Sequence, residues 1–201
     1  MDMKDNYHGN ESKLGSDSLA YTSQDLSNIQ KVLSLQDIER IAEVAHKGQV
    51  DKLGVAYIEH SRAVARLVEE VPAYQELNLG QQWLALASAF LHDVLEDTAF
   101  RPVDLRNLGV AMEVLYVVRD LTKKPNVPNE EYYARVLKNE VARVTKIADM
   151  AHNADFDRLS QLDEATAVRL RKKYAQGILL LTKTHPKDLE WFQGQVKFTT
   201  I

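Results

Sequence analysis

An all-α fold is what this sequence predicts, on three observations. Apolar residues recur at helical spacing from about Asp25 onward, and no convincing run of alternating β-branched residues appears anywhere. At 201 residues, 45% apolar and 27% charged, the chain has the size and composition of one domain with a substantial core. Neither an internal repeat nor a low-complexity stretch interrupts it, so a single bundle of about eight to ten helices is the economical reading. Residues 1–28 are polar, too poor in apolar surface to repay ordering, and read as a flexible extension. Residues 29–201 read as the folded domain.

Each helix carries its own signals. Ser34 with Asp37 forms a capping pattern ahead of Ile38, Ile41, Ala42 and Ala45, and Gly48 ends that helix. The second runs from Ile58 to Pro72 with Val64, Leu67, Val68 and Val71 inward. The third covers about Leu79–Asp97. Pro102 opens a short turn of helix closed by Gly109, and a fifth helix passes through Met112, Leu115, Val118 and Leu121. After a loop with Pro125 and Pro128, a helix from Asn129 carries Tyr132, Tyr133 and Val136. Glu140–Leu159 and Glu164–Thr184 read as two longer helices, and Pro186 starts a last one with Leu189, Trp191 and Phe192. These aromatics, with Phe198, would cap the core or meet a partner; oligomeric state stays open.

Composition narrows the chemistry. The apolar run Trp83–Leu91 is far below the roughly 20 residues of a membrane span, and no secretory signal is visible, so no membrane partner and a cytoplasmic location are expected. Without cysteine there is no disulfide, thiolate nucleophile or Cys-ligated metal, so any metal must be held by His and carboxylate. A net charge of −4 argues against a nucleic-acid partner.

Within the third helix, Trp83 to Leu91 leaves almost no polar face, which marks a central helix. His92, Asp93, Glu96 and Asp97 follow directly. At about 100° per residue they share an arc of roughly 140°. Carboxylates there oppose the helix dipole, and no Lys or Arg lies between Leu91 and Phe100, so a divalent cation is the natural counter-charge. Asp149, His152 and Asn153 share a face of a later helix, where a solvated stripe is an equal reading. His60 taken alone reads as a core or capping histidine.

The ordered set of His60, then His92-Asp93, then Asp149 resembles the HD-domain metal-dependent phosphohydrolases. Further matches point to the hydrolase domain of the Rel/Spo family and its small alarmone hydrolases. They are Ala45-His46-Lys47-Gly48-Gln49, Lys52, Tyr57-Ile58-Glu59-His60, Glu96-Asp97-Thr98, Leu121-Thr122-Lys123, Lys146-Ile147-Ala148-Asp149 and His152-Asn153. This resemblance implies that His60, His92, Asp93 and Asp149 ligate one divalent ion, Mn2+ first. It implies that Glu96 and Asp97 position or deprotonate water, and that Lys52, His46, Asn153 and Lys146 contact substrate, with Arg101, Lys123 and Lys124 as weaker candidates. The implied reaction removes the 3′-pyrophosphate of guanosine tetra- or pentaphosphate, and a chain of this length would carry no synthetase domain.

Three departures stand out. Asp51 occupies the position of a family Arg that, with the neighbouring Lys, helps hold the purine nucleotide; Ser61 replaces a common Pro, and Met150 a frequent Arg. Asp51 favours a second reading, hydrolysis of another nucleotide phosphate ester. A third, a nucleotide sensor without turnover, has no use for the Glu96-Asp97 pair.

Overall fold

Ser34 opens the first helix of the computed structural model, which describes residues 32–197. The extension read from residues 1–28 lies outside the described residues, as does Phe198. The Ser34 side chain accepts from the Asp37 amide at 3.2 Å, and Asp37 accepts from the Ser34 amide at 3.0 Å, a reciprocal cap. The helices are α1 (Leu35–Ala45), α2 (Ile58–Val68), α3 (Leu79–Leu91), α4 (Val94–Asp97), α5 (Pro102–Asn107) and α6 (Met112–Leu121). They continue with α7 (Asn129–Val136), α8 (Glu140–Ala154), α9 (Phe156–Leu159), α10 (Glu164–Leu181) and α11 (Pro186–Val196). A 3₁₀ turn, Pro72–Glu76, links α2 to α3. Among the described residues there is no strand, only an isolated bridge between Val50 and Ala56 in the loop that joins α1 to α2. The all-α bundle expected from the sequence is the fold observed.

Two helices expected to be continuous are each broken in two. The first break falls at His92 and Asp93, with Asp93 at φ −99° and ψ −5°, so α4 is a separate turn. The second falls at Asp155, whose extended backbone ends α8 and whose side chain accepts from the Arg158 amide to start α9. Both breaks lie beside the polar residues of interest.

Helix α8 lies at the centre, packed against α2, α3, α6, α7, α9, α10, α11 and the 3₁₀ turn. Helix α3, expected to be central, is its partner, and its buried residues Ala85, Ala87, Ser88 and Ala89 are small enough to let helices approach closely. Two apolar clusters meet along it: Ala85 and Ala89 belong to one, Ala87 and Leu91 to the other. Phe192 lies in the larger cluster with Trp191 against it, so these two aromatics cap the core. Gly177 in α10 is required by packing, because a Cβ there would come within 2.7 Å of Met150 Cε and closer still to Tyr133 Oη. None of the described helices is long and apolar enough to cross a membrane.

One polar group in this core had no signature in the sequence. Arg143 of α8 is fully buried; it donates to Asp188 Oδ2 at 2.7 Å and to the Leu181 carbonyl, and pairs with Glu140. Asp188 in turn accepts from the Ala73 amide at 3.0 Å, so one ion pair ties α8, α10, α11 and the 3₁₀ turn together. Removing one partner of a buried pair strands the other charge. Asp188→Ala should therefore lower unfolding stability by about 3–5 kcal/mol in urea titration.

Candidate metal centre

Four side chains from three places in the chain converge at one point. His60 sits in the first turn of α2, His92 and Asp93 at the break between α3 and α4, and Asp149 two thirds along α8. His60 Nε2 and His92 Nε2 are 3.1 Å apart. Asp149 Oδ1 lies 3.3 Å from the first and 3.6 Å from the second. Asp93 Oδ2 lies 3.5 Å and 2.9 Å from the same two nitrogens. His60, His92 and Asp149 are buried, and their donor atoms all fall within 4.8 Å of one another; Asp93 joins them through its short approaches to the two imidazoles.

The donor set fits a divalent cation. Donors held about 2.0–2.2 Å from a shared ion stand about 3 Å from one another, the spacing found here. His92 Nδ1 is 2.8 Å from the Ala89 carbonyl and so donates to it, which leaves Nε2 as the lone pair facing inward. His60 Nδ1 is 2.7 Å from His152 Nδ1, and this pairing likewise turns His60 Nε2 inward. Burial, with His60 and Arg158 nearby, pulls the pKa of His152 down to about 3, so it is a neutral acceptor. Two nitrogens with two carboxylate oxygens suit Mn, Fe, Zn or Co.

Without a cation, protons take that place. Burial disfavours a charged His92, but Asp93 and Asp149 outweigh it and push its pKa up to about 10. Burial also works against an ionised Asp149, yet Lys146 and the two imidazoles hold it well below the carboxylate range.

Asp149 is gripped from outside as well. Lys146 Nζ donates to Oδ2 and Asn153 Nδ2 to Oδ1, each at 2.6 Å and each one helical turn away. The structure thus sets two expected substrate contacts, Lys146 and Asn153, on the Asp149 carboxylate; Asn153 also lines the adjoining pocket with Lys52. His46 is buried, hydrogen-bonded through Nδ1 to Gln49 Oε1 at 2.7 Å and stacked on the Tyr57 ring at 4.6 Å.

The break before α4 corrects the expectation of a shared arc on one continuous helix. Glu96 and Asp97 lie in a new turn begun by Asp93, whose carbonyl accepts from both of their amides. Glu96 remains open to solvent, and its Oε2 accepts from the Lys123 amide at 2.7 Å. Partial desolvation by the atoms around it, with Asp93 and Asp97 near, outweighs that amide and raises its pKa. Beyond it, Arg101, Arg119, Lys123 and Lys124 line a cleft with Glu96.

Tyr57 was not singled out for a role by its sequence position. Its hydroxyl donates to Asp93 Oδ2 and lies 3.1 Å from Asp97 Oδ2, joining Asp93 to the carboxylates of α4. The available signal was its place three residues before His60 in the Tyr57-Ile58-Glu59-His60 match.

A GTP pyrophosphokinase from Streptomyces coelicolor is 33% identical over 133 residues, 60% of this chain and 14% of the relative. The chain therefore spans about one seventh of that relative's length. A solved structure of a metazoan ortholog of SpoT, which hydrolyses ppGpp and plays a role in starvation responses, superposes with a TM-score of 0.60. Identity to it is 19%, with 81% of this chain and 93% of that one covered. The likeness shows a shared fold: this bundle is that of the SpoT ortholog. No protein-family model matches the chain. In this bundle the His and Asp residues that carried the resemblance lie together in space rather than scattered over the helices.

Two measurements test the centre. Partners one step behind a metal ligand are typically worth 10–100-fold in affinity, so Tyr57→Phe should weaken Mn2+ binding by about tenfold or more in calorimetric titration. Ligation needs neutral imidazoles, and His92 is protonated at neutral pH in the metal-free protein. Mn2+ uptake should therefore release at least one proton. Apparent affinity should rise with pH up to about 10, by up to about tenfold per unit for each proton released, which calorimetry in buffers of different ionisation enthalpy would detect.

Proposed function

We propose that this protein is a metal-dependent pyrophosphohydrolase that removes the 3′-pyrophosphate of guanosine tetra- or pentaphosphate. The products are GDP or GTP and pyrophosphate. The observation that carries this reading is the convergence of His60, His92, Asp93 and Asp149 beside the exposed carboxylates of Glu96 and Asp97. The fold shared with the SpoT ortholog supports it. A small guanosine nucleotide is the partner, and the cytoplasm the location, that go with this reading.

The four ligands would hold Mn2+, which supplies Lewis-acid stabilisation of phosphoryl charge and acidifies water. The chain's own groups do the rest. Glu96, with its raised pKa, takes the proton as a water oxygen attacks the phosphorus at the 3′ linkage. Asp97 helps orient that water. The bond from phosphorus to the ribose 3′ oxygen breaks, and that oxygen takes up a proton. Lys146 and Asn153 keep Asp149 aimed, and Tyr57 does the same for Asp93. Lys52, exposed at the pocket wall, offsets phosphate charge, as do Arg101, Arg119, Lys123 and Lys124 across the cleft.

A second reading, hydrolysis of a different nucleotide phosphate ester, has one observation in its favour: Asp51 stands where the resemblance led to an Arg. Incubation with Mn2+ and a nucleotide panel, followed by anion exchange, separates the two. Pyrophosphate from guanosine 3′-pyrophosphates alone supports the first, and inorganic phosphate from other esters supports the second. Glu96→Gln should keep its metal and lose about 10²–10⁴-fold in kcat, whereas Asp149→Ala should lose both metal and turnover. Metal content and rate both unchanged in Asp149→Ala would overturn the assignment.

A further inference from the structure

Beside His60 and Asn153 the bundle opens into a cavity of about 170 Å³ that Lys52 also lines. Leu53, Leu162, Leu170 and Tyr174 contribute to its lining. Among its polar residues, Asp51 from the loop between α1 and α2 and Arg158 from α9 come from segments far apart in the chain. They meet in an ion pair, Arg158 Nη2 to Asp51 Oδ2, at 2.9 Å.

The two partners differ in what they leave for a ligand. Asp51 Oδ1 already accepts from the amides of Leu53 and Val55, both at 2.9 Å, and its other oxygen takes Arg158. Its side chain is only 9% exposed. Asp51 is thus committed to shaping the loop and holding Arg158. The Arg158 side chain is 23% exposed, and among the described residues Asp51 is the one side chain it is seen to bond. A guanidinium has five N–H donors and no acceptor, so the rest of the fork remains available next to an apolar slot. A flat ring entering the cavity would meet these donors among apolar side chains.

We propose that Arg158, held at the pocket by Asp51, reads the base of the nucleotide and selects guanine over adenine. This rests on the nucleotide-hydrolase reading of the adjoining centre. Guanine offers two neighbouring acceptors, O6 and N7, which a planar donor fork matches. Adenine offers N7 beside an amino group, so one of the same N–H groups meets another donor. The charge that the resemblance led one to expect at position 51 is supplied from α9 instead, with Asp51 as its anchor.

The test compares kcat/KM of the full-length protein with Mn2+ for guanosine 5′-diphosphate 3′-diphosphate and its adenosine counterpart, following pyrophosphate release. The wild-type protein should favour guanosine by about 5- to 100-fold, the range for one bidentate base contact. Arg158→Gln places a donor and an acceptor where the fork was, a pair that suits adenine N6 and N7, so the ratio should fall to unity or invert. Arg158→Lys keeps the charge without the fork and should lose most of the preference. Melting temperatures of both variants establish that they fold. Equal losses on both nucleotides, or an unchanged ratio in either folded variant, overturn the role of Arg158 while leaving the hydrolase reading intact. Wild-type protein that releases pyrophosphate from neither nucleotide overturns the hydrolase reading and this inference with it.

Discussion

Asp149 is ionised in the middle of the bundle, and its charge has to be balanced there. An isolated carboxylate moved out of water is costly by several kcal/mol, so the surroundings must supply cations and hydrogen bonds. Lys146 and Asn153 do so from its own helix, and His60 and His92 from two others. This requirement accounts for a helix that is at once the most enclosed in the fold and among the most polar. It also sets where α2 and the end of α3 must lie, since their imidazoles have to reach the same oxygen. The apolar packing follows suit: small residues on α3 allow it close to α8, and Gly177 allows α10 close to Met150 and Tyr133.

The same logic is repeated at two smaller scales. Arg143 and Asp188 form a buried pair away from the centre, where no ligand approaches, and their work is to join elements. Asp51 and Arg158 form a partly open pair at the cavity wall, where the arginine keeps donors to spare. Burial separates the roles. A fully enclosed pair spends all its hydrogen-bonding capacity internally, and a pair at a cavity keeps part of it for whatever enters.

Much of the centre was legible because its residue types are conspicuous in a cysteine-free, helix-patterned chain. A His-Asp step directly after an apolar helix has few structural uses, and Asp149 with its turn-spaced neighbours repeats the signal. Tyr57 was harder, since a tyrosine at a helix entrance fits any amphipathic pattern and its role exists only through Asp93 and Asp97 across the gap. Lys146 and Asn153 were visible as polar residues, but their direction toward Asp149 depends on which face of α8 is enclosed. The continuous helix expected through Asp97 fails at Asp93 because no propensity marks that residue as a breaker; the turn is imposed by the convergence around it.

By itself the sequence determined the fold class and the capping of α1, and its resemblance to the HD phosphohydrolases put forward His60, His92, Asp93 and Asp149 as a candidate ligand set. Periodicity and residue type are local properties and survive in one dimension. Only the tertiary structure decided that Lys146 and Asn153 turn onto Asp149, that His152 backs His60, and that Arg143 answers Asp188. It alone set Arg158 on Asp51, two residues joined by no periodicity at all. The physical reason is common to these cases: a buried charge selects its partner by distance in space, and a one-dimensional pattern does not encode that distance.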